Sequence, residues 1–337
     1  SKYRGDDGTT EIPIQGTSKG LKLFYPNIPQ INFSKIPGSP IAYWVSERVI
    51  EICINYPVLE ETYKPNAGLQ TGDNGTFLRE WFEVNYLKIS LTGGDKFFPY
   101  NKAGSYRKWY GNQSNVINYQ HEGKELKGTG KAVFRNSDKY FSSSVSWGLI
   151  SSGSYGVRYY PTGFLFDNGA PSIIAEDDNY FLASFLNSKV SFMFLKIYNP
   201  TLNFQVGNIS SIPIIKVENN LIIESLSKEC ISLSKKDWNS HETSWDFDKS
   251  PLLNVSVSLS QAYQLWQKQV KKDFFQLHAN EEELNRIFID IYGLQDELTP
   301  EVALKDITIL QDELDRKELE AIEPVFRGQG IDAVSLP

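Results

Sequence analysis

Residues 102–115, KAGSYRKWYGNQSN, hold the side-chain types most able to do chemistry in this chain. Lys102, Arg107 and Lys108 alternate with Tyr106, Trp109 and Tyr110, and Asn112 and Gln113 follow. Long bases suit phosphate oxygens, aromatic faces suit stacking, and the amides of Asn and Gln can address base edges in pairs of hydrogen bonds. The stretch RNSDKYFSSSVSWGLISSGSYGVRYY then adds Arg135, Lys139, Ser143, Ser144, Ser146, Ser151, Ser152 and Arg158, a set of short hydroxyls and long bases fit to line a groove. From Lys96 to Lys139 there are nine bases (Lys96, Lys102, Arg107, Lys108, Lys124, Lys127, Lys131, Arg135, Lys139) against Glu122, Glu125 and Asp138, a local excess that can attract a polyanion. The competing reading is structural: Trp109, Tyr110 and Trp147 as core, the serines as turns, and the bases as a solvated surface.

Other chemistries lack their residues. Cys53 and Cys230 stand apart from each other and from His121, His241 and His278, so no metal-ligand spacing arises. No phosphate-binding G-x-x-x-x-G-K-[ST] or G-x-G-x-x-G, no G-x-S-x-G elbow and no Pro-Pro pair of an adenine amino-methyltransferase loop occurs. The F-x-G-x-G match at Phe326, Gly328 and Gly330 follows an acidic helix and reads as chance. The E-x-K pairs Glu122/Lys124 and Glu125/Lys127 read as surface charge. GLQTGDN at Gly68–Asn74 reads as a turn: Gly68, Gly72 and Gly75 permit positive φ, and Thr71, Asp73 and Asn74 can bond their own backbone.

The elements that would position these groups change character along the chain. Residues 1–54 are a polar, Gly- and Pro-rich connector ending in the apolar IAYWVSERVIEICI. Residues 55–216 carry short apolar runs (YLKISL, KAVFR, FLF, SIIA) between Gly, Asn and Ser turns, which predicts a mixed sheet. One helix interrupts it, with apolar residues at helical spacing from Phe181 to Ile197. Residues 217–337 are helical: Leu259, Tyr263, Trp266, Val270, Phe274 and Leu277 share one face, Asn280 with Glu283 predicts the start of a second helix closed by Gly293, Thr299-Pro300 a third, and TILQDELDRKELEAIEP a fourth. The fold class is α+β, a mixed β-rich domain followed by a C-terminal helical module.

With 337 residues, 40% apolar and 13% aromatic, the chain can build cores. Apolar runs are too short to span a membrane and no signal peptide is evident, which predicts a cytoplasmic protein. The net charge of −7 divides unevenly: residues 1–216 hold 22 Lys+Arg against 18 Asp+Glu, and residues 217–337 hold 12 against 23. The chain begins at Ser1 and its single Met is Met193, as expected of a piece of a longer polypeptide.

Six segments, KIPGSPIAYWVSERVIE, GLQTGDNGTFLREWFEV, RKWYGN, VSWGLISSGSYGVRYYPTGFLFDNGAPSII, FLNSKVSFMFLKIYNPTLNFQVGNISSIPI and ANEEELNRIFIDIYGLQDELTPEV, resemble in this order the C-terminal half of the PglX family of BREX phage-defence adenine-specific DNA methyltransferases, related to single-chain type IIG restriction-modification enzymes. The resemblance covers about residues 30–302. It implies a target recognition domain at 55–216 and a helical spacer at 217–337, with the catalytic domain and its S-adenosylmethionine preceding Ser1. Residues Phe181–Ile214 are also similar to the end of recognition domains in type I specificity subunits. The implied partners are double-stranded DNA, the N-terminal methyltransferase domain and other BREX subunits. Lys and Arg side chains within 96–158 would bind phosphates while Asn112, Gln113, Arg158 and nearby hydroxyls read bases; no catalytic residue is expected in this chain. Two other classes stay open: a protein-interaction module, and a carbohydrate-binding surface using Trp109, Tyr110 and Trp147.

Overall fold

The computed structural model describes residues 45–149, 155–199, 203–218, 220–253 and 257–337, together with the backbone of two short strands nearer the N-terminus. Its residues group into two units, 1–57 and 58–337. In the first, β1 (Glu11–Pro13) and β2 (Lys22–Phe24) pair antiparallel. Helix α1 (Glu47–Asn55) starts where the Ser46 hydroxyl accepts the Val49 N–H at 3.2 Å, and it buries Val49 and Ile52.

The second unit holds two four-stranded sheets. One has the order β3 (Pro65–Asn66), β10 (Ser172–Ile173), β7 (Ser144–Trp147), β8 (Val157–Tyr160), all antiparallel. The other runs β4 (Leu78–Glu80), β6 (Asn115–Asn118), β5 (Phe97–Asn101), β9 (Leu165–Phe166), with β5 and β9 parallel. The strands are short because Gly, Asn and Ser recur every few residues. YLKISL forms tight 3-10 turns in place of a strand, and KAVFR contributes one bridge, Val133 to Gln70. Aromatic and aliphatic side chains compensate for the short ladders: Leu69, Phe77, Tyr100, Ile117, Tyr119, Leu126, Tyr140, Leu165 and Phe166 form one buried cluster.

Around the sheets lie α2 (Leu59–Thr62), α3 (Asn74–Phe77), α4 (Gln120–Gly128), α5 (Asn179–Asn187), α6 (Lys189–Tyr198), α7 (Val206–Ser210), α8 (Leu221–Trp238), α9 (Leu259–Tyr292) and α10 (Arg316–Gln329). The helix expected over Phe181–Ile197 is two. Asn187 turns its side-chain amide onto the backbone of Val157 (2.8 and 2.9 Å), and Ser188 leaves helical geometry to cap α6 by accepting the Ser191 N–H. Conversely, the two helices expected over 259–292 are one. Asn280 places its amide on Glu229 at 3.0 Å, Glu283 pairs with Arg286, and the helix continues for 34 residues, about 50 Å at 1.5 Å per residue, until Gly293 turns left-handed. Thr299-Pro300 opens no helix; the Pro300 carbonyl accepts from Asn285 and a 3-10 turn follows at Leu304–Asp306. The last helix starts late, capped by Asp315.

The glycine-rich stretch is a turn, as its composition implies, though only Gly72 uses positive φ (70°). Asp73 accepts the Thr76 N–H at 3.1 Å to open α3, and Thr71 donates to Asn74. Gly68 is needed for a different reason: a Cβ there would overlap the Phe166 carbonyl, while at Gly75 the nearest atom would be 3.7 Å away. Gly68→Ala is therefore expected to lower stability by about 1–3 kcal/mol and Gly75→Ala to leave it near the parent, read as the shift of a urea unfolding midpoint.

Candidate nucleic-acid interface

The segment after β5 folds back on β8 and is fixed there by its backbone. Trp109 N–H donates to the Val157 carbonyl (2.9 Å) and Tyr159 N–H to the Trp109 carbonyl (2.8 Å). The turns between need left-handed residues, with Ala103 (φ 70°), Gly104 (94°), Trp109 (66°), Gly111 (126°) and Asn112 (55°) all positive. Arg158 of β8, 2% exposed, reaches under this loop and donates to the carbonyls of Ala103 (2.8 Å) and Arg107 (3.1 Å) and to the Tyr160 hydroxyl (3.2 Å). Its charge is spent on satisfying carbonyls that the irregular loop would otherwise bury unpaired.

The bases of this loop point inward. Arg107, 7% exposed, forms an ion pair with Asp237 at the end of α8, donates from Nε to the Tyr110 carbonyl at 2.8 Å, and lies 5.3 Å from the Trp238 ring centroid. Lys108, also 7% exposed, pairs with Glu281 on α9, and the other oxygen of that carboxylate accepts from Trp109 Nε1 at 2.7 Å. Burial, the largest single influence, pulls the Lys108 ammonium down, but the charge and hydrogen bond of Glu281 together with Tyr106 and Asp306 leave the group above its ordinary range. Asp237 also takes the Leu310 N–H at 2.9 Å, and Thr308 takes the Lys108 N–H at 3.1 Å. Beside this cluster His241 bonds Glu313 at 2.8 Å and the Asp237 carbonyl at 2.9 Å. The Glu313 hydrogen bond raises the imidazole to about 9 against the pull of burial.

These contacts correct the expectation of an open groove lined by the 107–113 stretch. Arg107, Lys108, Trp109, Tyr110, Gln113, Ser144 and Arg158 are buried: acidic residues of the helical part neutralise Arg107 and Lys108, Arg158 is satisfied by loop carbonyls, and the aromatics fill core. Trp147 is fully buried and donates Nε1 to Phe204, so Trp109, Tyr110 and Trp147 offer no exposed sugar platform. Ser143 is half-buried and accepts from Asn179, Asn112 donates to the Ser105 carbonyl, and Lys102 pairs with Asp167 at 2.6 Å. Ser151 and Ser152 lie outside the described residues. Of the expected bases, Lys96 is half-buried over the Phe97 ring, while Arg135 and Lys139 are exposed.

The exposed bases gather elsewhere, on α4 and the loop behind it. Lys124, Lys127, Lys131 and Arg135 are all exposed, and among the described residues none of them has an ion pair. Lys127 Nζ sits 5.2 Å from the Phe134 ring centroid, and the Lys131 side chain lies against Gly72. Lys124, Lys127 and Lys131 count toward the base excess in the sequence. In the sequence no aromatic residue interleaves them, so only their charge marks them. No group of three or more His, Cys, Asp or Glu among the described residues suits a metal ion, and no described helix is long and apolar enough to cross a membrane.

No family model matches the sequence. The chain is 42% identical over 323 residues, 89% of its length, to the adenine-specific methyltransferase PglX of Lacticaseibacillus casei (strain Zhang). It is 36% identical over 282 residues, 82% of its length, to the adenine-specific methyltransferase BrxX of Escherichia coli O9:H4 (strain HS). The chain spans only about a quarter of these proteins, 27% and 23% respectively.

Removing one side of a buried ion pair strands the other charge. Glu281→Ala is expected to cost roughly 3–5 kcal/mol, and Lys108→Met combined with Glu281→Leu to cost less than Glu281→Ala alone, as measured by chemical denaturation. For His241 the folded value of about 9 lies above the ordinary 6.5, so the charged ring stabilises fully below pH 6.5 and that contribution is lost as pH rises through 9. A thermal midpoint followed from pH 6 to 10 should fall more steeply for the parent than for His241→Gln.

Proposed function

We propose, for a chain homologous over most of its length to a segment of the PglX and BrxX adenine-specific methyltransferases, that it selects the DNA site at which the rest of such a polypeptide methylates adenine. The observation that carries this reading is the partial match itself: extensive identity to methyltransferases, in a segment without a catalytic or cofactor motif. The F-x-G-x-G match does not fit S-adenosylmethionine. Phe326 lies within α10 with its ring 5.1 Å from those of Phe275 and His278, and the cofactor belongs instead to the remainder of the methyltransferase. The biological role is discrimination of self from phage DNA in BREX defence, in a cytoplasmic complex with other BREX subunits.

The phosphate-facing surface in this reading is the unneutralised strip Lys124, Lys127, Lys131 and Arg135, extended by Lys96 and Lys139. Arg107, Lys108 and Arg158 hold the loop after β5 against α8, α9 and β8 and do not face the phosphates. Residues 55–216 act as the recognition part and 217–337 as the spacer that braces it. A second reading, a protein-binding role, is favoured by the first turns of α9, where Leu259 and Leu265 are 70% and 52% exposed beside a cavity of about 400 Å³ walled by Leu233, Trp266, Val270 and Leu310.

Fluorescence anisotropy with a random duplex pool across a salt series separates the two. Phosphate contacts predict binding that weakens steeply with salt, and the triple change of Lys124, Lys127 and Lys131 to Ala should lower the slope of log K against log salt by about 3. Binding that ignores salt, or a triple variant with the parent's slope, would refute the DNA surface placed here.

A further inference from the structure

At the start of α4, His121 (φ 53°, ψ 49°), Glu122 (φ 56°, ψ 36°) and Gly123 (φ 71°, ψ 31°) form three consecutive left-handed residues before the chain enters its right-handed turn at Lys124. Only glycine adopts this region freely, so His121 and Glu122 are held against their own preference. What holds them is visible. Gly123 N–H donates to the Tyr119 carbonyl at 3.0 Å, and a Cβ on Gly123 would come within 3.0 Å of the Tyr119 ring and 3.2 Å of the Phe134 ring. Tyr119 is fixed in turn by edge contact with Phe98 (5.9 Å) and Tyr140 (6.3 Å) in the buried aromatic cluster. On either side polar groups are tied down, Asn118 to Glu125 at 3.0 Å and Gln120 to Asp95 at 3.3 Å.

The turn thus presents two exposed polar side chains on a rigid mount. Neither His121 nor Glu122 has a side-chain hydrogen bond or ion pair among the described residues. Both stand at the head of the basic strip that continues through Lys124, Lys127 and Lys131. A carboxylate at that place opposes phosphate and favours a hydrogen-bond donor, and in a DNA groove the available donors are exocyclic amino groups; an imidazole suits the acceptors of a purine edge. We propose that His121 and Glu122 are the residues that read base edges, with the lysines behind them holding the phosphates. This rests on the DNA reading above and assigns its specificity to a turn distinct from the Asn112–Gln113 stretch.

The test uses the complete methyltransferase polypeptide carrying this chain, selecting from a random duplex pool and then measuring affinity across a salt series. His121→Gly and Glu122→Gly delete the side chains while keeping a backbone that accepts the left-handed turn. Each is expected to erase preference at one or more positions of the selected sequence and to reduce the ratio of preferred-duplex to random-duplex affinity roughly tenfold or more; His121→Gly should leave random-duplex affinity unchanged, and Glu122→Gly, which removes a charge that opposes phosphate, should leave it equal or higher. Lys124→Ala should weaken all duplexes alike and lower the slope by about 1. An unchanged selected sequence in both glycine variants, with Lys124→Ala behaving as stated, overturns this assignment alone. A parent protein whose binding shows no salt dependence overturns the DNA reading and this assignment together.

Discussion

Two carboxylates organise the larger unit. Glu281 and Asp237 are nearly out of contact with water, and each is tolerable there only because a base and further donors meet it: Lys108 and the Trp109 indole at Glu281, Arg107 and the Leu310 amide at Asp237. A charge buried in this way admits few alternative arrangements, so the loop after β5 can dock on α8 and α9 in essentially one register. The loop's positive-φ turns and the Arg158 contacts to its carbonyls accompany that docking, while β8 itself is held by its pairing with β7.

The same pairing resolves the uneven charge of the chain. The excess of bases before residue 216 and of acids after it looks, on paper, like two surfaces of opposite sign. In the folded unit the part of that excess most concentrated in aromatic sequence is consumed internally, and the bases that face solvent include the strip on α4 and its following loop. Electrostatic attraction of a polyanion is governed by that residue of uncompensated charge.

How much was legible beforehand depends on the length scale of the physics involved. The α+β class, the turn at Gly72–Asn74 and the Gly293 stop are local or periodic properties, and the structure has them; of the apolar face expected on α9, Phe274 and Leu277 are buried while Leu259 and Tyr263 are exposed. The break at Ser188 was not legible, because it depends on Asn187 finding the backbone of Val157, 30 residues away. Asn280 read as a helix cap by spacing, yet its amide is drawn to Glu229 on a neighbouring helix. The Trp109 neighbourhood shows the same limit most clearly: bases interleaved with aromatics look identical whether they meet a ligand or a carboxylate 173 residues downstream. Lys124, Lys127 and Lys131 were visible as charge, but exposure and the absence of partners are tertiary facts.

The bridging of residues 107–109 to 237 and 281 also governs what natural recombination can exchange. A stretch such as 102–115 moved alone into a relative would leave Asp237 and Glu281 facing whatever side chains the new loop happened to bring, and most such hybrids would lose the fold before any change of preference was expressed. The exposed turn at His121–Glu122 carries no such obligation to the helices. Point substitution there is limited only by the left-handed backbone, which favours residues such as Gly, Asn and Asp, while the braced loop is inherited together with the distant carboxylates that hold it.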